Sequence, residues 1–380
     1  MRSVLFVHQS AELYGSDRTL LMFLKNVDKN LFNCVVILPE NGPLKTEIET
    51  LEIPVFITPV LKLYRNIFSI KNVFRFFRDK EKALQLVHEL HKKHQFSVVY
   101  SNTLAVLLGA FFAKKHKIRH LWHVHEIIVH PKIIANIFPK ILNHYADTVV
   151  CNSNATKQNL ISRNNNLVLK TQTIYNGLEI LSTAHSTKTK ADFGYLETDI
   201  IITLVGRISR LKGHKWLLKT IVENFKDHKN LKILFVGSPV AGQEFYEYEI
   251  NEFVVLHNLS NVIKILPFSK TLNEIWNITD IAIMPSTEAE SFGLVAAEAM
   301  LAKKPVIASD HGGLQEIIVN NETGFLIEPN NKIALAVAIK KLAESLDLRN
   351  KFGEKGFLKI QKDFSVKKYT EQLQNAILNL

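Results

Sequence analysis

The sequence predicts an α/β protein made of two Rossmann-like domains, each a parallel sheet with crossover helices. Three observations carry this. Short apolar runs alternate with longer helical patterns through the first half, the same rhythm returns in the second half, and a polar stretch without periodicity lies between them. A chain of 380 residues is long enough for both domains.

Residues 4–8, 34–39, 55–58, 97–101, 120–125 and 148–152 are apolar and strand-like. Between them, 17–25, 82–94, 104–115 and 133–145 repeat with helical spacing. Asn176-Gly177 signals a turn, and the polar run 179–199 follows it. Strands are expected again at 200–205, 231–236, 262–266, 281–284 and 306–309. The expected division is a first domain at 1–178, a linker at 179–199, a second domain at 200–362 and a closing segment at 363–380.

Composition narrows the function. All of the +11 formal charge lies in residues 1–178, with 23 cations against 12 anions, while 179–380 balances at 24 of each. A one-sided basic field attracts polyanions or an anionic membrane surface. No nucleic-acid reading motif organises these cations. No apolar run of about 18 residues is present, so no spanning helix is expected. Cys34 and Cys151 sit in apolar strand-like runs and read as buried free thiols, which favours the cytoplasm. Residues 61–80 interleave Arg65, Lys71, Arg75 and Arg78 with Phe76 and other aromatics. Such a helix either rests on the inner face of the plasma membrane or packs its aromatics into the domain.

The second domain carries the densest chemistry. In Glu290-Ser291-Phe292-Gly293-Leu294-Val-Ala-Ala-Glu298, two carboxylates stand eight positions apart around a bend suited to a helix N-terminus. An apolar strand precedes and another follows, a βαβ unit that places Glu290 beyond a strand's carboxyl end. Two solvated glutamates on an amphipathic helix are the plain alternative. Earlier, Gly206-Arg207-Ile-Ser-Arg-Leu-Lys212-Gly213 follows a strand. Arg207 and Lys212 suit a diphosphate, the fork for two oxygens and the ammonium as a point charge.

Together these motifs resemble the E-x7-E and Arg/Lys signatures of the retaining GT-B glycosyltransferases of family 4. The resemblance covers nearly the whole chain and implies two facing Rossmann-like domains, an interdomain cleft and a C-terminal crossover helix. It implies transfer of a sugar from a UDP- or GDP-linked donor to a glycan or lipid-linked acceptor, in polysaccharide, lipopolysaccharide or glycolipid assembly. Arg207 and Lys212 would hold the diphosphate, Glu298 the ribose and Glu290 the sugar ring. Ser291, Phe292, Gly293 and Leu294 would line the sugar and phosphate, and Pro267 and Phe268 the base.

On the first domain the resemblance places Gly15 facing donor phosphates and His125 beside the reacting sugar. Ser16, Asp17, Arg18, Asn102 and Glu126 become acceptor-side candidates. His123 and His125 could otherwise be a metal pair or core histidines, and Asn102 a helix cap. No Asp-x-Asp occurs, so no metal and no cofactor are expected. The lack of G-x-G-x-x-G argues against a dehydrogenase. An epimerase or phosphorylase on this fold, and a non-catalytic membrane- or polyanion-binding protein, are the other classes.

Overall fold

The computed structural model describes residues 1–62, 70–179, 188–226, 228–269 and 272–380, with side chains from 76 onward in the helix Ile70–His94. The chain forms two compact units, Met1–Gly177 with Ser365–Leu380, and Leu178–Phe364.

In the first unit the strands are β1 (Arg2–His8), β2 (Phe32–Leu38), β3 (Val55–Ile57), β4 (Val98–Asn102), β5 (Arg119–Val124), β6 (Thr148–Cys151) and β7 (Thr171–Thr173). They make one parallel sheet in the order β3-β2-β1-β4-β5-β6-β7. Val4, Leu5, Phe6 and Val7 are all fully buried, so β1 has no polar alternation. Helices cover both sheet faces, which is the usual state of a parallel sheet. Val87, Phe112 and Leu142 cover one face. Leu20, Leu24, Tyr369 and Leu373 cover the other.

The second unit holds β8 (Ile200–Val205), β9 (Leu231–Val236), β10 (Ile263–Leu266), β11 (Ile281–Met284), β12 (Val306–Ser309) and β13 (Gly324–Ile327). Their order is β10-β9-β8-β11-β12-β13, again parallel. Each sheet therefore has a switch point, β1 beside β4 and β8 beside β11, where successive loops leave in opposite directions. Such points open a crevice beyond the strands' carboxyl ends. In the first unit the register sets His8 opposite Asn102, and Asn102 opposite His123.

Several expectations need correction. The helix expected from 104 starts at Leu108. Thr103 has φ +85, which no right-handed helix continues, and the Leu104 amide donates to Glu126 Oε2 at 3.0 Å. β7 and β13 were not anticipated, since three or four residues carry little period. Residues 188–199 are not a free linker. Lys190 Nζ donates to the Asp199 carbonyl at 2.6 Å and to Asp280 at 2.8 Å, and Tyr195 is buried in the second unit.

Phe76 packs against the first unit's core instead of facing outward, while Phe77 and Arg78 are exposed. Arg65, Lys71 and Arg75 lie outside the residues whose side chains are described. Among the described residues no helix is long and apolar enough to cross a membrane.

The last helix, Val366–Leu378, belongs to the first unit. Its Tyr369 hydroxyl donates to the Thr19 carbonyl at 3.3 Å, and Arg2 donates to the Leu378 carbonyl at 3.0 Å.

Candidate functional site

In the second unit, the loops after β8 and β11 interlock at the switch point. Gly213 has φ +75, and a Cβ there would lie 1.7 Å from the Pro285 carbonyl oxygen, so only glycine permits the approach. The Thr287 amide donates to the Leu211 carbonyl at 2.9 Å, and Arg210 pairs with Glu288. This closeness brings Lys212 to Glu290, with Nζ 2.6 Å from Oε1. Ser286 Oγ donates to the same oxygen at 2.6 Å. His311 Nε2 donates to the Ser286 carbonyl at 3.0 Å. Burial pushes the Glu290 carboxyl up, but the charge and hydrogen bond of Lys212 and the Ser286 hydroxyl outweigh it and hold it below the usual range.

The bend after Glu290 ends at Gly293, φ +104, which opens the helix Leu294–Leu301. Glu298 lies on that helix and is 4% exposed. Ser291 and Leu294 are half-buried, whereas the Phe292 ring is buried against Phe364 with centroids 5.6 Å apart. Phe292 therefore offers a ligand its backbone only. Arg207 is exposed on the loop after β8. Pro267 and Phe268 are exposed after β10, and the Phe268 amide donates to Ser238 Oγ at 3.1 Å.

In the first unit a buried polar chain crosses the switch point. His8 Nε2 donates to Asp17 Oδ1 at 2.5 Å, Asn102 Nδ2 donates to His8 Nδ1 at 2.9 Å, and His125 Nε2 donates to Asn102 Oδ1 at 2.8 Å. One consistent orientation satisfies all three bonds. It assigns the His125 proton to Nε2 and leaves the lone pair on Nδ1. Burial, with His123 and His8 nearby, holds His125 well below the usual histidine range, so the ring is neutral at pH 7. Asp17 is 1% exposed and also accepts from the Tyr14 amide at 2.9 Å. It is therefore an internal anchor instead of an acceptor contact. Asn102 Nδ2 reaches the Ser16 carbonyl as well, at 3.3 Å. Gly15 and Arg18 are exposed at the start of the helix Gly15–Asn26.

His123 is fully buried, and its Nδ1 meets the Tyr100 hydroxyl at 2.5 Å. Its ring lies 4.0 Å from that of His125. Glu126 Oε2 accepts from the amides of Leu104 and His125, both at 3.0 Å. Burial still pushes its carboxyl up to about 7. Among the described residues no three His, Cys, Asp or Glu side chains are grouped to hold a metal ion.

Comparison with known proteins decides the family. A profile described as Glycosyltransferase Family 4 matches residues 15–180, and one described as Glycosyl transferases group 1 matches residues 186–359. The chain belongs to the family 4 type of GT-B glycosyltransferases. It is an enzyme that transfers sugars. The capsular polysaccharide biosynthesis glycosyltransferase CapM of Staphylococcus aureus is 25% identical over 332 residues, 83% of this chain and 86% of CapM. The glycosyltransferase MJ1178 of Methanocaldococcus jannaschii is 29% identical over 321 residues, 81% of this chain and 79% of that one. The crystal structure of Anabaena HepE with UDP and glucose aligns over 100% of both chains, with a TM-score of 0.86 and 23% identity. At that identity HepE speaks for the fold.

Sequence reasoning missed His8, Tyr100, Ser286 and His311 as members of these clusters. The available signal was position, since His8 closes the first strand and Ser286 directly follows a strand-ending proline.

Proposed function

We propose that this glycosyltransferase moves a sugar from a UDP- or GDP-linked donor, with retention at the anomeric carbon and without a metal. The proposed acceptor is a glycan or lipid-linked hydroxyl of cell-surface polysaccharide, lipopolysaccharide or glycolipid assembly. It would be met at an anionic membrane surface, to which the basic charge of residues 1–178 is suited. One observation carries the reading. Lys212, Ser286 and Glu290 meet within hydrogen-bond reach on two adjacent loops at the β8/β11 switch point, and Glu298 is buried in the helix that follows. The name of CapM and the UDP and glucose bound to HepE support the pathway and donor class.

In this reading Lys212 and the fork of Arg207 stabilise the charge that develops on the departing diphosphate. Glu298 accepts from ribose hydroxyls, Glu290 accepts from hydroxyls of the sugar ring, and backbone amides of 291–293 face phosphate or sugar oxygens. Pro267 and Phe268 border the base. The bond from the anomeric carbon to the phosphate oxygen breaks, and the acceptor oxygen bonds to that carbon on the same face. The acceptor proton passes to the leaving phosphate. Gly15, Ser16, Arg18, Asn102, His125 and Glu126 serve the donor phosphates and the acceptor.

Thermal shift and calorimetry with UDP, GDP and ADP, with and without EDTA, test this. One diphosphate should stabilise the enzyme by about 2.7 kcal/mol at about 100 times its Kd. The effect should be insensitive to EDTA and lost in Glu298→Ala. Unchanged nucleotide affinity in that variant would remove the ribose assignment.

A further inference from the structure

In the second unit, the two charges assigned to neighbouring parts of the donor, its diphosphate and its sugar, hold each other. Lys212 Nζ and Glu290 Oε1 are 2.6 Å apart, and Ser286 Oγ fixes the same carboxylate oxygen. The side chains are 28% and 21% exposed, so water screens this pair less than one at the surface. The loops that carry it are tied beside it by the Thr287 amide on the Leu211 carbonyl and by Arg210 with Glu288.

We infer that this ion pair is a latch that makes the site favour the intact donor over the spent nucleotide. The inference rests on the donor-site reading above. A nucleoside diphosphate sugar replaces both ends of the pair at once, giving phosphate oxygens to Lys212 and hydroxyl donors to Glu290. A nucleoside diphosphate replaces one end only. It takes Lys212 and leaves Glu290 charged, half-buried, without its cation and beside new negative charge. Leaving one member of such a pair uncompensated is the unfavourable case. After transfer the sugar hydroxyls have gone, and Glu290 competes with the diphosphate for Lys212. The latch thereby lowers product affinity and speeds product departure.

Charge repulsion alone would also make Glu290 disfavour a diphosphate, so the test must separate the two. The affinity of whichever of UDP, GDP and ADP binds wild type most tightly is measured in wild type, Glu290→Gln, Lys212→Met and the double variant. Calorimetry serves for the tight cases, and ligand-observed NMR extends the range to millimolar. Thermal unfolding without nucleotide checks that each variant folds.

The latch requires Glu290→Gln to tighten the diphosphate about tenfold while Lys212 is present, about 1.4 kcal/mol. It requires a clearly smaller gain when Lys212 is already replaced, because no pair then remains to break and only repulsion by the diphosphate is left. No tightening, or equal tightening in both backgrounds, overturns the latch and leaves the donor site standing. If wild type binds none of the three, the donor-site reading fails and the latch falls with it.

Discussion

Burial sets the proton occupancy of Glu126. Its pKa is pushed up to about 7 by burial, against the opposing amides of Leu104 and His125. An acid whose folded pKa exceeds its usual 4.5 stabilises the fold fully below that value and loses the contribution as pH rises through 7. The loss is about 3 kcal/mol at about 1.4 kcal/mol per pH unit. Glu126→Gln keeps an oxygen for both amides and carries no charge. Chemical denaturation at pH 8 should find the variant more stable by up to that amount, with little difference at pH 5. Equal stability at both pH values would show that water solvates the carboxylate. At this scale the second unit's site was the more legible. Arg207, Lys212, Glu290 and Glu298 fall in two local motifs whose spacing is itself the signal. The His8–Asn102–His125 chain was not legible, because its bonds join residues 94 and 23 positions apart. Only the register of β1, β4 and β5 brings them together.

At the scale of elements, the central strands were readable because they are continuously apolar, and β8, β9, β11 and β12 have the expected bounds. The start of the helix Leu108–His116 was not readable. Its preceding residues go to Glu126 and to an isolated bridge between Lys62 and Val106, both tertiary contacts. The final helix Val366–Leu378 shows what a distant element adds. Tyr369, Leu373 and Ile377 lie in the first unit's core beside Leu20, Phe23 and Leu24. Leu373 is fully buried, so Leu373→Ala leaves a cavity and should cost about 2–5 kcal/mol. Hydrogen exchange should show the loss in β1 and β2, and the second unit's strands should keep their protection. Uniform loss across both units would mean that they unfold as one cooperative body.

Over the whole molecule, acid acts on the two units through different numbers of buried histidines. In the first unit burial lowers His120 to about 4 and His123 to about 3, and holds His125 well below its usual value. In the second unit His214 is lowered to about 4, first by burial and then by Lys212. A histidine with a depressed folded pKa contributes stability above its unfolded value near 6.5, and that stability is lost as pH falls below it. At pH 5 the loss is about 2 kcal/mol each for His120, His123 and His214, and His125 acts in the same direction. Three buried rings in the first unit, joined there by the half-buried His91, His94 and His116 that burial also lowers, therefore act against one in the second. Glu126 works in the opposite direction, returning about 3 kcal/mol to the first unit as pH falls from above 7 toward 4.5. Between pH 7 and 5 Glu126 returns about 2 kcal/mol of its total, so in wild type it offsets only part of the histidine loss in the first unit. In Glu126→Gln the compensation is gone, and between pH 7 and 5 the first unit should lose about 2 kcal/mol more than it does in wild type. Hydrogen exchange with mass spectrometry, corrected for intrinsic rates, reads the two units separately in one sample. If between pH 7 and 5 the first unit of the variant loses no more stability than the second, burial of His120, His123 and His125 does not govern the acid response of the first.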